Sequence, residues 1–381
     1  MDFSLSEEER EFQEATLNFA KNEMRPIAAE YDEKNDTPME LMQKAYEMGF
    51  LTSGIPEEYG GTGFSNMMNA VVCEELGWGC SGMYTSMMAN TLALTPIVLF
   101  GNEEQKQKYL APFTEKMNFA CFGLTEREAG SDNSAIKTTA VKEGDHYIIN
   151  GSKTFITNGG IASLGVIFAS TDKKRGARGL SAFIVPMDTE GVTIGKHEDK
   201  MGHRASNTTE LYFDNVKIPA TNLLRREGFG FIIAMKTLDY ARPAVGAGAV
   251  GLARAAYEEA LEYAKNRVQF GQAIGSFQYN AFKLAKMATK IDYARLLVQR
   301  SAWMLDNDKK ASKESAMAKV VATDVAMDVT TEALQIMGGY GYMKEYPLEK
   351  MMRDAKLFQI YEGTNEIQNH VISLEILGST K

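Results

Sequence analysis

Apolar positions recur with a helical period towards both ends of the chain and with a strand period between them. Ser6 followed three residues later by Glu9 predicts a capping box, and Phe12, Ala15 and Phe19 then share one helical face. Helical segments continue to about Lys116, with joints at Pro26, Pro38, Pro56 and the Gly60-Gly61 turn, and the Met-rich run Ser86 to Phe100 reads as a buried helix. After about Asn118 the period shortens. Runs rich in β-branched and aromatic residues at His146 to Ile149, Gly165 to Ala169, Ser181 to Val185 and Glu210 to Phe213 predict strands, and Asn150-Gly151 reads as a hairpin turn. From Phe229 the helical period returns through Val250, Ala253, Ala260 and Ala264, then Leu284, Ala288, Ile291, Val298 and Ala302, then Val320, Met327, Leu334 and Met337. The predicted fold class is α+β: a helical domain over 1–117, a β domain of sandwich or barrel-like form over 118–228, and a four-helix bundle over 229–381. The β domain separates two helical blocks, so the simplest packing closes the blocks around a cleft.

A length of 381 residues is enough for several packed units and a large core, and the net charge of −9 without a basic block argues against nucleic acid or an anionic membrane surface as the main partner. Cys73, Cys80 and Cys121 are odd in number and form no C-x-x-C pair, which predicts reduced thiols and no zinc ribbon. The start, MDFSLSEEER, is acidic where a signal peptide is basic and then apolar. The apolar run Leu92 to Phe100 is interrupted and too short to span a bilayer, so the expectation is a cytoplasmic protein. His146, His197, His203 and His370 lack the spacing of a metal site and read as surface or loop residues.

Candidate chemistry concentrates near the C-terminus. In RDAKLFQIYEGTNEIQ, Arg353 to Gln368, Glu362 stands between Tyr361 and Gly363 in a mostly uncharged run. A carboxylate beside an aromatic ring and poor in neighbouring cations is desolvated, which moves its pKa towards what a general base needs, and Gly363 permits a sharp backbone path. A solvated loop Glu satisfies the same three letters. Four other segments carry polar groups suited to a ligand: LTEREAGSD (Leu124–Asp132), TFITNGG (Thr154–Gly160, read as a loop after a hairpin strand), NRVQFGQAIGSFQ with Arg267, Phe270 and Gln278, and QIMGGYGY with Gln335, Gly338 and Gly339. DYARP adds Asp239 and Arg242, which also read as a helical ion pair. By contrast Gly246-Ala-Gly248-Ala-Val-Gly251 matches a dinucleotide fingerprint by letter but lies inside a helical pattern, so its glycines predict close helix packing.

Taken together and in order, these segments resemble the acyl-CoA dehydrogenases over essentially the whole chain. The resemblance implies a short- or medium-chain enzyme that uses FAD, desaturates an acyl-CoA at the α,β bond and passes electrons to an electron-transfer flavoprotein. It implies Glu362 as the base that removes the α-proton, with the thioester carbonyl held by the Glu362 backbone N–H and the flavin ribose. Thr125, Ser131, Phe155, Thr157, Thr364 and Glu366 would meet the cofactor, while Arg267, Phe270, Gln278, Gln335, Gly338 and Gly339 would reach FAD held by a neighbouring subunit of a homotetramer. Ser131, Asp239, Arg242, Tyr361 and Gly363 would meet the substrate, and Met87, Met88, Thr91, Leu92 and Thr95 would wall the acyl cavity. Arg127 replaces the family's usual Pro, and Phe155 its frequent Trp. Some relatives place the base at the position of Ala241. A branched or alicyclic acyl group, an oxidase reaction and a non-catalytic scaffold are the alternatives, and the direction of reaction in the cell is open.

Overall fold

A computed structural model describes residues 4–378. Helices α1 (Glu7–Phe19), α2 (Ala28–Lys34), α3 (Met39–Glu47), α4 (Asn66–Gly79), α5 (Ser81–Phe100) and α6 (Glu103–Glu115) form the first region. The capping box at α1 is present in both directions, with Ser6 accepting from Glu9 N–H and Glu9 from Ser6 N–H. The Met-rich helix begins five residues earlier than its sequence pattern suggested and runs on through Pro96. It is long and apolar enough to cross a membrane by length and composition, yet 67% of its most apolar window is buried within the protein, which marks it as a core helix.

A curled sheet follows, made of β1 (Ala120–Gly123), β2 (Thr139–Glu143), β3 (His146–Thr157), β4 (Leu164–Ser170), β5 (Leu180–Pro186), β6 (Val192–His197) and β7 (Thr208–Pro219). Its seven strands run in the order β1-β4-β2-β3-β7-β6, with β5 also on β4. Every residue of β4 is buried, because its alternate faces serve different cores. Val166 and Phe168 pack towards α5, α6 and α7, while Ile167 and Ala169 pack against β3 and β7. Asn150-Gly151 is not the hairpin turn. It lies inside β3 at a β-bulge, with Gly151 at φ 148°, and the chain reverses instead at Gly144 between β2 and β3. A turn dipeptide and a bulge ask for the same backbone freedom, so the letters alone did not separate them.

The third region holds α7 (Gly230–Asn266), the short hairpin β8 (Val268–Gln269) and β9 (Gln272–Ala273), then α8 (Gln278–Asp306), α9 (Ser312–Met337), α10 (Leu348–Phe358) and α11 (Asn365–Leu377). Helix α4 packs directly on α7, joining the two helical regions. A Cβ on Gly251 would lie 1.9 Å from the Glu74 carbonyl oxygen, and one on Gly77 would lie 2.3 Å from that of Gly248. Close packing is therefore what the Gly246–Gly251 run does. Arg254 and Arg295 clasp Glu74 at 3.0 and 2.9 Å, and Arg254 also binds Glu75, so paired charges fix the register of α4, α7 and α8.

Candidate active site

The turn between α10 and α11 sets the site. Glu362 has φ 52° and Gly363 φ 94°, two successive left-handed residues, and Thr364 then caps α11 by accepting from Ile367 N–H. A non-glycine residue in that region is strained and persists only where its surroundings hold it. Several groups do so here. Gln368 donates to the carbonyls of Glu362 and Gly363 at 3.3 and 3.0 Å, and Lys319 donates to the Gly363 carbonyl at 2.8 Å. Tyr361 is wedged edge-on against Phe358 and His203.

The Glu362 carboxyl points into a cavity of about 270 Å³ whose walls include Met88, Thr91, Leu92 and Thr95 of α5 and Tyr240, Ala241 and Ala244 of α7. Its Oε2 is buried and has no hydrogen-bond partner among the described residues. Burial raises its pKa from 4.5 to about 7, opposed by the nearby Lys319 and Arg242 cations. That is the range of a base at neutral pH. Met87 does not wall this cavity; it is fully buried in the helical core, since successive helix residues turn about 100° apart. Arg242 is 2% exposed and bonded to Asp239 at 2.6 Å, with Ser312 also donating to Asp239, so the sequence's helical ion pair is present.

The remaining expected residues fall at two other places. Thr125 accepts from Thr154 N–H through its carbonyl, which brings the Leu124–Asp132 loop against the end of β3. Thr154 to Thr157 belongs to that strand rather than to a loop, and a bulge between Lys153 and Ile156 turns Phe155 outward at φ 57° and 64% exposure. Thr157 pairs with Thr208, and Ser131 is exposed. In the third region Arg267, Phe270, Gln335 and Gly339 line a groove of about 690 Å³ that shares no lining residue with the Glu362 cavity. Gly338, at φ 59°, ends α9, and exposed Gln278 begins α8 outside the groove's walls. Glu366 is exposed in the first turn of α11.

Sequence reasoning missed Lys319, Gln368, Lys153 and His203. Lys153 is buried and pairs with Glu126 at 2.7 Å, while Glu126 also accepts the N–H groups of Lys137 and Thr138. His203 sits in a loop as expected but is fully buried, where burial lowers its pKa to about 4. Its Nε2 faces the Asp354 carbonyl at 3.0 Å and its Nδ1 faces Thr85 Oγ1 at 3.0 Å, so the neutral ring donates from Nε2 and accepts from Thr85. A single charge within the small, apolar stretch Ala316 to Ala322 was the one available signal for Lys319.

Three family models match the chain in order: the acyl-CoA dehydrogenase N-terminal domain over 6–116, its middle domain over 121–216 and its C-terminal domain over 228–377. The chain belongs to the acyl-CoA dehydrogenase family. The short-chain specific acyl-CoA dehydrogenase of Clostridium acetobutylicum is 47% identical over 99% of this chain and 100% of its own length. The solved butyryl-CoA dehydrogenase of Megasphaera elsdenii superposes with a TM-score of 0.96 at 45% identity, covering 99% of this chain and 100% of that one. A chain solved in connection with the electron transferring flavoprotein of Acidaminococcus fermentans gives a TM-score of 0.97 at 47% identity, with full coverage of both chains. The first two of these relatives are named for short-chain acyl-CoA and butyryl-CoA substrates, and the acyl-CoA dehydrogenase family uses FAD. The surfaces described here fit that cofactor. Phe155 and Phe270 expose aromatic rings, Phe270 at 94%, and a Cβ on Gly130, Gly338 or Gly339 would meet nothing within 4 Å, which leaves backbone open to a ligand.

Proposed function

We propose that this enzyme desaturates a short acyl-CoA to the 2-enoyl-CoA with Glu362 as the base. The observation that carries the reading is the unpartnered, buried Glu362 Oε2 facing the cavity between α5 and α7. A carboxylate without a partner keeps its lone pairs for a substrate C–H made acidic by the thioester. Among the described residues the Glu362 backbone N–H has no hydrogen-bond acceptor, which leaves it for the thioester carbonyl as negative charge develops there. Thr125, Ser131, Phe155, Thr157, Thr364 and Glu366 would hold FAD near the cavity, and Arg267, Phe270, Gln278, Gln335, Gly338 and Gly339 would serve a cofactor bound by another subunit. FAD, when bound, supplies the acceptor for the β-hydrogen as hydride. Met88, Thr91, Leu92 and Thr95 limit the acyl group, and about 270 Å³ suits a short chain.

An electron-transfer flavoprotein as redox partner is supported by the Acidaminococcus fermentans likeness. A cytoplasmic homotetramer is supported by three free, buried cysteines and by the exposed apolar side chains Tyr279, Phe282, Leu296 and Trp303 along α8. The test is an anaerobic titration of the yellow protein with a panel of acyl-CoAs. Butyryl-CoA is expected to bleach the flavin, and Glu362→Gln to stay yellow and bind acyl-CoA while bleaching ~10² to 10⁴ slower. A colourless protein that does not take up FAD, or undiminished bleaching by the variant, overturns the reading.

A further inference from the structure

Lys319 is fully buried on α9, among Ala316, Ala318 and Ala322. A buried ammonium is ordinarily matched by a carboxylate in contact. Among the described residues Lys319 has no carboxylate at ion-pair distance; its Nζ instead donates to the Gly363 carbonyl at 2.8 Å and to Asn365 Oδ1 at 2.9 Å. Asn365 is itself fixed, donating to Thr323 at 2.9 Å and Asp324 at 2.8 Å. The ammonium thus grips the residue after Glu362 and the first residue of α11. Gly363 O also accepts from Gln368 at 3.0 Å, so both of its lone pairs are engaged.

We propose that Lys319 is a positioning residue for Glu362: its ammonium fixes the left-handed turn that aims the carboxylate and supplies the charge against which that carboxylate ionises. The inference rests on Glu362 being the base. The groups around Glu362 leave Lys319 as the least neutralised cation. Arg242, from α7, is paired with Asp239. Cys73 of α4, Tyr84 of α5 and Tyr361 are held neutral by burial, which raises the pKa of each. Asp324 and Glu366 act on Lys319 without contacting it. Burial lowers the Lys319 pKa from 10.5 to about 7, so its charge and that of Glu362 are interdependent near neutral pH.

The test compares Lys319→Arg, Lys319→Gln and Lys319→Met, each as FAD-loaded enzyme with flavin content measured. Two readouts are followed against pH: kcat/KM with butyryl-CoA, and the Glu362 carboxyl band in infrared spectra, assigned by its loss in Glu362→Gln. Both neutral variants are expected to move the acidic-limb midpoint and the carboxyl titration upward by about one pH unit or more, a tenfold rise in proton affinity, with Lys319→Arg closer to wild type. Lys319→Gln offers a neutral donor on a side chain one bond shorter, which keeps the buried site polar, and stands in if Lys319→Met does not fold. Unmoved midpoints in the neutral variants overturn the proposal. If Glu362→Gln instead retains wild-type bleaching, the base assignment fails, whatever the lysine variants do.

Discussion

In the α10–α11 turn Glu362 works against local preference, and its cost is measurable. The Glu362 carboxyl has its pKa raised to about 7 in the fold. Between pH 4.5 and 7 the unfolded chain therefore ionises this group while the folded protein does not, so stability falls as pH rises through that window and stays lower above it. Glu362→Gln removes this loss. The variant's melting temperature relative to wild type is expected to increase from pH 4 to pH 8; an unchanged difference in calorimetry would mean that the carboxyl is not desolvated. Gly363 has the opposite sensitivity. A Cβ there meets Gln368 Nε2 at 2.4 Å at a φ of 94°, so Gly363→Ala combines backbone strain with displacement of the Gln368 amide. A loss of about 1–2 kcal/mol in denaturant unfolding is expected, with slower flavin bleaching.

At the level of elements, paired charges and bare backbone hold the site's supports. The Lys153–Glu126 pair joins β3 to the loop carrying Thr125. Lys153→Met strands a buried carboxylate and is expected to cost about 3–5 kcal/mol in urea unfolding. Adding Glu126→Leu should recover only part, because Glu126 also satisfies Lys137 N–H and Thr138 N–H. Full recovery would show that those two bonds contribute nothing. Between α4 and α7 the contact is backbone on backbone, and Gly251→Ala drives a methyl against the Glu74 carbonyl. About 3 kcal/mol of destabilisation is expected, against less than about 0.5 for Gly130→Ala, whose Cβ meets nothing.

Across the whole molecule, α5, α7 and the α10–α11 turn, far apart in sequence, close one cavity. Ala241 and Glu362 both line it. The double variant Ala241→Glu, Glu362→Gly is therefore expected to regain part of the acyl-CoA oxidation missing from Glu362→Gly, with an altered acyl preference because the new carboxylate takes cavity volume. Equal rates in the two variants at equal flavin content would show that Ala241 does not face the reacting carbon.

The sequence by itself determined the helical, β, helical order, the capping box at Ser6, the packing role of Gly246 to Gly251 and the choice of Glu362 as the candidate base. The first three are local, a period, a cap or a short motif whose backbone demand is written within a few residues, whereas Glu362 is singled out by several segments that in their order resemble one family. Only the tertiary structure decided that Met88 faces the cavity while Met87 faces the core, that Asn150-Gly151 is a bulge, that His203 is buried, and that Lys319 lies beneath the turn of Glu362. Those outcomes depend on which neighbour covers a face. A helix period places residues on a face without naming its partner, and the same lysine is a solvated cation or a buried clamp according to what packs over it.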